Sequence, residues 1–179
     1  MHKFLSLIAL TSILAGNLAA FEPDTSNKTE LDVKRAILEI QRKDPGIQKF
    51  FDNSAAYAVL PSVGKGGLIV GGAFGRGLVI TNEQVDGYTS MSQATIGLQA
   101  GGQKYALFIF FKDKTALEDF KRGNFEFSAQ ASAVAITAGV SADTSYDGGV
   151  AIFTNASGGL MFEGSVGGQR FSYEPKSTD

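Results

Sequence analysis

Apolar and polar positions along the chain follow three different periods in turn. Phe4 to Leu14 is an almost unbroken apolar run, preceded by His2 and Lys3 and followed by the small residues Ala15 to Ala20. That layout reads as a secretory signal over residues 1–20, cleaved near Ala20. The run is shorter than the roughly 20 residues a membrane span needs. Residues 21–54 then take a helical period. Asn27 and Glu30 resemble a capping pair, and Val33, Ala36, Ile37 and Ile40 fall at i, i+3, i+4 and i+7. Asp44-Pro45 restarts a short second helix, with Ile47, Phe50 and Phe51 as its apolar face.

From Ala55 the period shortens to that of strands. The β-prone runs are Tyr57–Leu60, Gly67–Phe74, Leu78–Thr81, Tyr88–Leu98, Tyr105–Phe111, Phe127–Val140, Val150–Phe153 and Leu160–Val166. Asn82-Glu83, Asp86-Gly87, Asp147-Gly148-Gly149 and Ser157-Gly158-Gly159 separate them as turns. One helix interrupts, from Asp113 to Arg122, stopped by Gly123. The pattern predicts an α+β fold: a glycine-rich antiparallel sheet (a sandwich or a partly closed barrel) with N-terminal helices and one inserted helix. Residues 55–175 form the β domain, and the helices of 21–54 belong to the same structural unit.

Nearly all of the 22 glycines lie between Gly64 and Gly168. Gly67, Gly71 and Gly75, spaced by four, are expected on one strand face with Ile69 and Ala73. Ala129, Ala131, Ala133 and Ala135 alternate with Ser128, Gln130, Ser132 and Val134, giving another face of small residues. Phe108, Phe110, Phe153 and Phe162 are expected to fill the space opposite. Ala100-Gly-Gly-Gln-Lys-Tyr105 is echoed by Val166-Gly-Gly-Gln-Arg-Phe171, and each reads as a glycine bulge.

Composition narrows the chemistry. The sequence has no Cys and a single His, His2, which lies inside the signal. Without these residues there is no Ser-His-Asp triad, no thiolate nucleophile and no ordinary zinc or iron–sulfur site. A formal net charge of −2 lacks the basic excess of a nucleic-acid binder. Gly64-Lys65-Gly66-Gly67 fails as a phosphate loop, because Val59 stands where the first loop glycine belongs and Gly66 where Ser or Thr must be. Ser62-Val63-Gly64-Lys65 fits S-x-x-K, yet the other elements of that acyl chemistry are missing. Asp86, Asp143 and Asp147 read as turn residues, while Asp113, Glu118 and Asp119 belong to a solvated helix. Glu163 stands without a carboxylate partner. The reading is a non-catalytic protein with no cofactor and no metal.

Several stretches together resemble the SYLF lipid-binding domain family. They are Tyr57-Ala-Val-Leu-Pro-Ser-Val-Gly-Lys-Gly-Gly67, Gly71-Gly-Ala-Phe-Gly-Arg-Gly77, Ile96-Gly-Leu-Gln-Ala-Gly-Gly-Gln103, Phe120-Lys-Arg-Gly-Asn-Phe125 and Gly158-Gly-Leu-Met161. The resemblance runs from about Gln41 to Tyr173, and the chain looks like the short exported bacterial members. It implies binding to phospholipid membranes, aided by an N-terminal amphipathic helix. Eukaryotic members prefer phosphoinositides, and some fungal members bind actin filaments beside a polyproline-binding module. This chain has no such module, and an exported bacterial protein meets neither partner routinely.

The expected function is therefore association with anionic phospholipid membranes by an exported protein, periplasmic or secreted. Lys65 and Arg76 are the candidate head-group contacts. Lys34, Arg35, Arg42 and Lys43 are the basic residues of a membrane-facing helix, whose apolar stripe can alternatively cover the sheet. The alternative function is a structural or interaction protein of the cell envelope that binds a partner through strand edges.

Overall fold

The computed structural model describes residues 21–123, 134–135, 137–166 and 169–177. Residues 1–20, read as the signal, and the alternation from Ser128 to Ala133 lie outside the described residues. The first helix, α1, spans Lys28–Lys43. Asn27 caps it, its side chain accepting from the backbone N–H groups of Thr29 and Glu30. Asp44 ends α1 and caps the 3₁₀ turn Pro45–Ile47, which leads into α2, Gln48–Asn53. The stripe Val33, Ala36, Ile37 and Ile40 is buried, as its spacing requires.

Among the described residues six strands form one sheet that does not close. They are β1 (Ala56–Gly67), β2 (Val70–Thr81), β3 (Gln84–Phe111), β4 (Val134–Ala135), β5 (Val150–Val166) and β6 (Gln169–Pro175). All pairings among them are antiparallel except that of the two-residue β4 with β5. The 28-residue β3 organises the sheet. Its first half pairs with β2 and β6, and its second half with β1 and β5. Helix α3 (Lys114–Lys121) packs on the face away from α1. There Phe120 stacks on Phe111 of β3 and on Phe171 of β6.

The structure departs from the sequence expectations in several places. Gly67–Phe74 is not one strand, because the chain reverses at Leu68-Ile69, and Gly67 pairs with Gly71 across the hairpin. Gly67 needs to be glycine there, since a Cβ would lie 2.4 Å from Gly71 Cα. Second, Gly101-Gly102 lies inside β3, and Gly158-Gly159 inside β5 rather than in a turn, so two pairs of expected strands fuse. The two strands pair with one another through this stretch, which keeps the ladder continuous where side chains are missing. Third, Val140 opens a helical turn, α4 (Val140–Asp143), after Gly139 at φ +82°. Fourth, β6 is a strand that the run pattern does not mark. Its Phe171 and Tyr173 pack into the core, but the run is short and ends at Pro175.

One irregularity in β1 divides the molecule. Pro61, which has no N–H for the ladder, sits in a bulge between Val59 and Ser62. Gly77 of β2 lies opposite, and a Cβ there would approach Val59 O to 1.9 Å. The bulge brings Val59 and Ser62 onto the same face of the sheet. Before it, that face is covered by α1 and α2, with Tyr57, Val59, Leu78, Ile80, Phe108, Phe110 and Phe153 in the core. Phe108, Phe110 and Phe153 thus pack against the helices, on the side of the sheet away from Ala73 and not opposite the glycine-spaced face as expected, and the side chain of Phe162 lies outside the described residues. Beyond the bulge the same face is bare.

Candidate functional site

The bare face can be followed strand by strand from the pairing register. Ser62 and Gly64 of β1 oppose Arg76 and Phe74 of β2. Those in turn oppose Ser90 and Ser92 of β3, which pair with Ser172 and Arg170 of β6. On the other side, Gly64 pairs with Lys104 of the second half of β3. Ser62, Gly64, Phe74, Arg76, Ser92, Lys104, Arg170 and Ser172 are all exposed. Their alternate neighbours Val63, Ala73, Met91 and Phe171 are buried in the opposite core, with α3. The period of two therefore separates a closed face from an open one on the same strands.

The open face is shallow because its side chains are small. Glycine and serine leave a flat floor, from which Phe74, at 52% exposure, projects with the Arg76 guanidinium 5.4 Å from its ring centre. At its lower margin the floor deepens into a groove of about 670 Å³ between the start of α1 and β6. Thr29, Arg76, Tyr88, Ser90, Ser172 and Glu174 line it. Ser90 and Ser172 share a hydroxyl hydrogen bond of 2.7 Å, and the Thr89 hydroxyl donates to Ser172 O. Among the described residues the face carries three cations, Arg76, Lys104 and Arg170, against the single acid Glu174. Hydroxyl donors and cations over a flat floor suit phosphate oxygens presented on a surface.

The expected site residues are dispersed. Arg76 is on the open face, but Lys65 is not. Lys65 pairs with buried Ala73 and with Gln103, which places it on the opposite side of the sheet from Arg76. The two basic residues that flank the glycine run do not form one site, because the count between them crosses the hairpin turn. On α1, Lys34 donates to Phe21 O at 2.6 Å and pairs with Glu22 at 3.2 Å. Arg35 pairs with Asp32, and Lys43 donates to Asn155 Oδ1 at 2.8 Å. Arg42 is exposed in the last turn, where a cation meets the negative end of the helix dipole. With its apolar stripe buried on the sheet, α1 presents a polar outer face on which Leu38 is the one exposed large apolar side chain. Sequence reasoning missed Lys104 and Arg170. Each follows a glycine pair and a glutamine in the internal echo, which the strand register brings to the open face.

The carboxylates serve the scaffold. Asp86 is in β3, not in a turn, and accepts from Lys121 Nζ at 2.8 Å and Tyr173 Oη at 2.7 Å. Burial raises its pKa, but the hydrogen bonds from Lys121 and Tyr173 outweigh that and hold it below the usual carboxylate value. Burial, reinforced by Asp86, pushes the Tyr173 phenol well above its ordinary value. Asp44 is buried and accepts from the backbone N–H groups of Gly46 and Ser141. Burial again works against its charged form, and the hydrogen bonds prevail. Buried Glu30 accepts from Asp24 N at 2.7 Å. No group of three or more potential metal ligands occurs among the described residues.

Residues 92–178 match the family model of Ysc84, described as Las17-binding protein actin regulator. The SYLF resemblance holds. The match is to a family of lipid- or actin-binding domains, and it covers the second part of β3 through β6. Within this SYLF match lie Lys104 and Arg170, whereas Arg76 and the β1–β2 hairpin precede it. The chain is also 26% identical over 146 residues to Beta cell expansion factor A of Aeromonas veronii. That alignment takes in 80% of this chain and 55% of the relative, so the chain spans about half the length of the curated relative it matches.

Proposed function

We propose that this protein binds anionic phospholipid membranes peripherally, without catalysis, and that it does so as an exported protein. The observation that carries the reading is the bare, cation-bearing half of the sheet face. Arg76, Lys104 and Arg170 spread across three ladders around Phe74, and cations spread over so flat a floor can lie together on a charged surface. Each exposed cation near an anionic leaflet contributes about 1 kcal/mol, decaying within a Debye length. Binding is therefore strong at low salt and weak at high salt. The carboxylates support the non-catalytic reading, because buried Asp44 and half-buried Asp86 already hold neighbouring elements together.

Co-sedimentation with vesicles of phosphatidylglycerol and phosphatidylcholine tests the proposal. Binding at about 50 mM salt should fall sharply by about 500 mM and vanish on pure phosphatidylcholine. Absence of binding to anionic vesicles at low salt refutes it. The envelope-interaction alternative uses a strand edge, and β6 pairs only with β3 among the described strands. That reading predicts that removing the three cations leaves partner capture intact.

A further inference from the structure

The turn that joins β1 to β2 violates ordinary turn chemistry. Exposed hairpin corners favour Gly, Asn, Asp, Ser or Pro, each for a backbone reason. Here Leu68 and Ile69 occupy the corner, with Leu68 N donating to Val70 O at 3.3 Å. Leu68, Ile69 and Val70 are 69%, 71% and 69% exposed. Three consecutive aliphatic side chains stand in water where local preference calls for polar ones. The conflict is concentrated: of the exposed large hydrophobic side chains among the described residues, all but Leu38 lie on this tip or on the adjoining face, as Phe74 and Tyr88. A contiguous apolar patch of this kind marks an interaction surface rather than chance exposure.

We infer that the Leu68-Ile69-Val70 tip is a wedge that enters the acyl region of a lipid bilayer when the bare face meets the head groups. The inference rests on the membrane reading above and adds the inserting element to it. Charge complementarity selects the occupant. Val70 and Phe74 continue from the tip along β2 onto the face that carries Arg76, Lys104 and Arg170. An apolar point followed by a cationic collar matches the order of acyl chains and phosphates in an anionic leaflet. The tip also has the construction a wedge requires. It is a tight hairpin stiffened by the Gly67–Gly71 pairing, so entry orders little new backbone.

The absence of tryptophan from the sequence makes the test direct. In the variant Ile69→Trp the new indole is the only one, and its emission reports the environment of the tip. With anionic vesicles the emission should shift to the blue, and lipids brominated on the acyl chains should quench it. The double variant L68S/I69S should keep its thermal midpoint and bind the same vesicles at least about tenfold more weakly. If the wild-type chain and Ile69→Trp both bind but the indole emission stays unshifted, the wedge is overturned and the membrane reading stands. Failure of the wild-type chain to bind overturns both. A blue shift that grows with protein concentration without lipid assigns the tip to a second copy of the chain, and overturns the wedge as well.

Discussion

The two turns that bound β2 join consecutive strands of one antiparallel meander, yet they are built from opposite chemistry. At Asn82-Glu83 both corner residues have positive φ, +48° and +64°, the backbone of a two-residue hairpin turn that follows the strand twist. The side chains are polar and exposed, as turn preference dictates. At the other end, Leu68-Ile69 turns the chain with aliphatic corners and relies on Gly67 for close approach. The first turn lies at the end of the sheet covered by helices, and the second where the helices stop. Local propensity governs the former, while the latter departs from it beside the face that carries the candidate site. Such departures are where a sequence records an external constraint rather than its own folding.

The comparison can be broken most severely in the strand between the turns. Gly77→Ala sets a methyl against Val59 O at the bulge and should cost about 3 kcal/mol, read as a drop in urea midpoint. If Gly77→Ala is neutral, the bulge is not the fixed divider described above. Exchanging turn chemistry is the next test. Replacing Leu68-Ile69 with Asn-Gly should leave stability within about 0.5 kcal/mol while lowering vesicle affinity by an order of magnitude. Glu83→Gly works the other way: relieving positive φ at a residue with a Cβ should stabilise by about 1 kcal/mol and leave vesicle binding unchanged. Equal effects of the two turns on binding would abolish the distinction.

Arg76→Ala, Lys104→Ala and Arg170→Ala should each weaken anionic vesicle binding about fivefold at low salt, with no difference at high salt. Lys65→Ala, on the opposite side of the sheet, should not. The smallest effect concerns pH. The folded-state pKa of Asp86 lies below its unfolded value of about 3.9. Its contribution is therefore present above that value and lost as pH falls through the folded pKa. Asp86→Asn should flatten the acid limb of the stability curve below about pH 4 without touching vesicle binding.

The helices were legible because their signals are local. Asn27, Asp44-Pro45, Asp113 and Gly123 each act within one turn of the residue itself. The division into a helical part and a glycine-rich sheet followed from the same signals. Strand ends were less legible because glycine is ambiguous. Gly101-Gly102 continues a strand where Gly67 ends one, and only the pairing partners decide which. Arg76 was visible as an exposed cation, whereas Lys104 and Arg170 become part of the same face only through pairings between residues far apart in the chain. The expectation for α1 turned on competition for one apolar stripe, and the sheet occupies it.

The length of β3 has a kinetic consequence. Among the described strands it is the sole one to which β6 is joined, through pairs from Gly87–Pro175 to Gln93–Gln169. The hairpins on either side of β2 can close early, since their partners are near in sequence. The β6 ladder must wait until almost the whole chain is available, and closing so large a loop is slow. Folding should therefore pass its rate-limiting step when the two ends of the sheet are brought together over α3. Until Phe171 reaches Phe120, the core on the α3 side of the sheet lacks its β6 contacts.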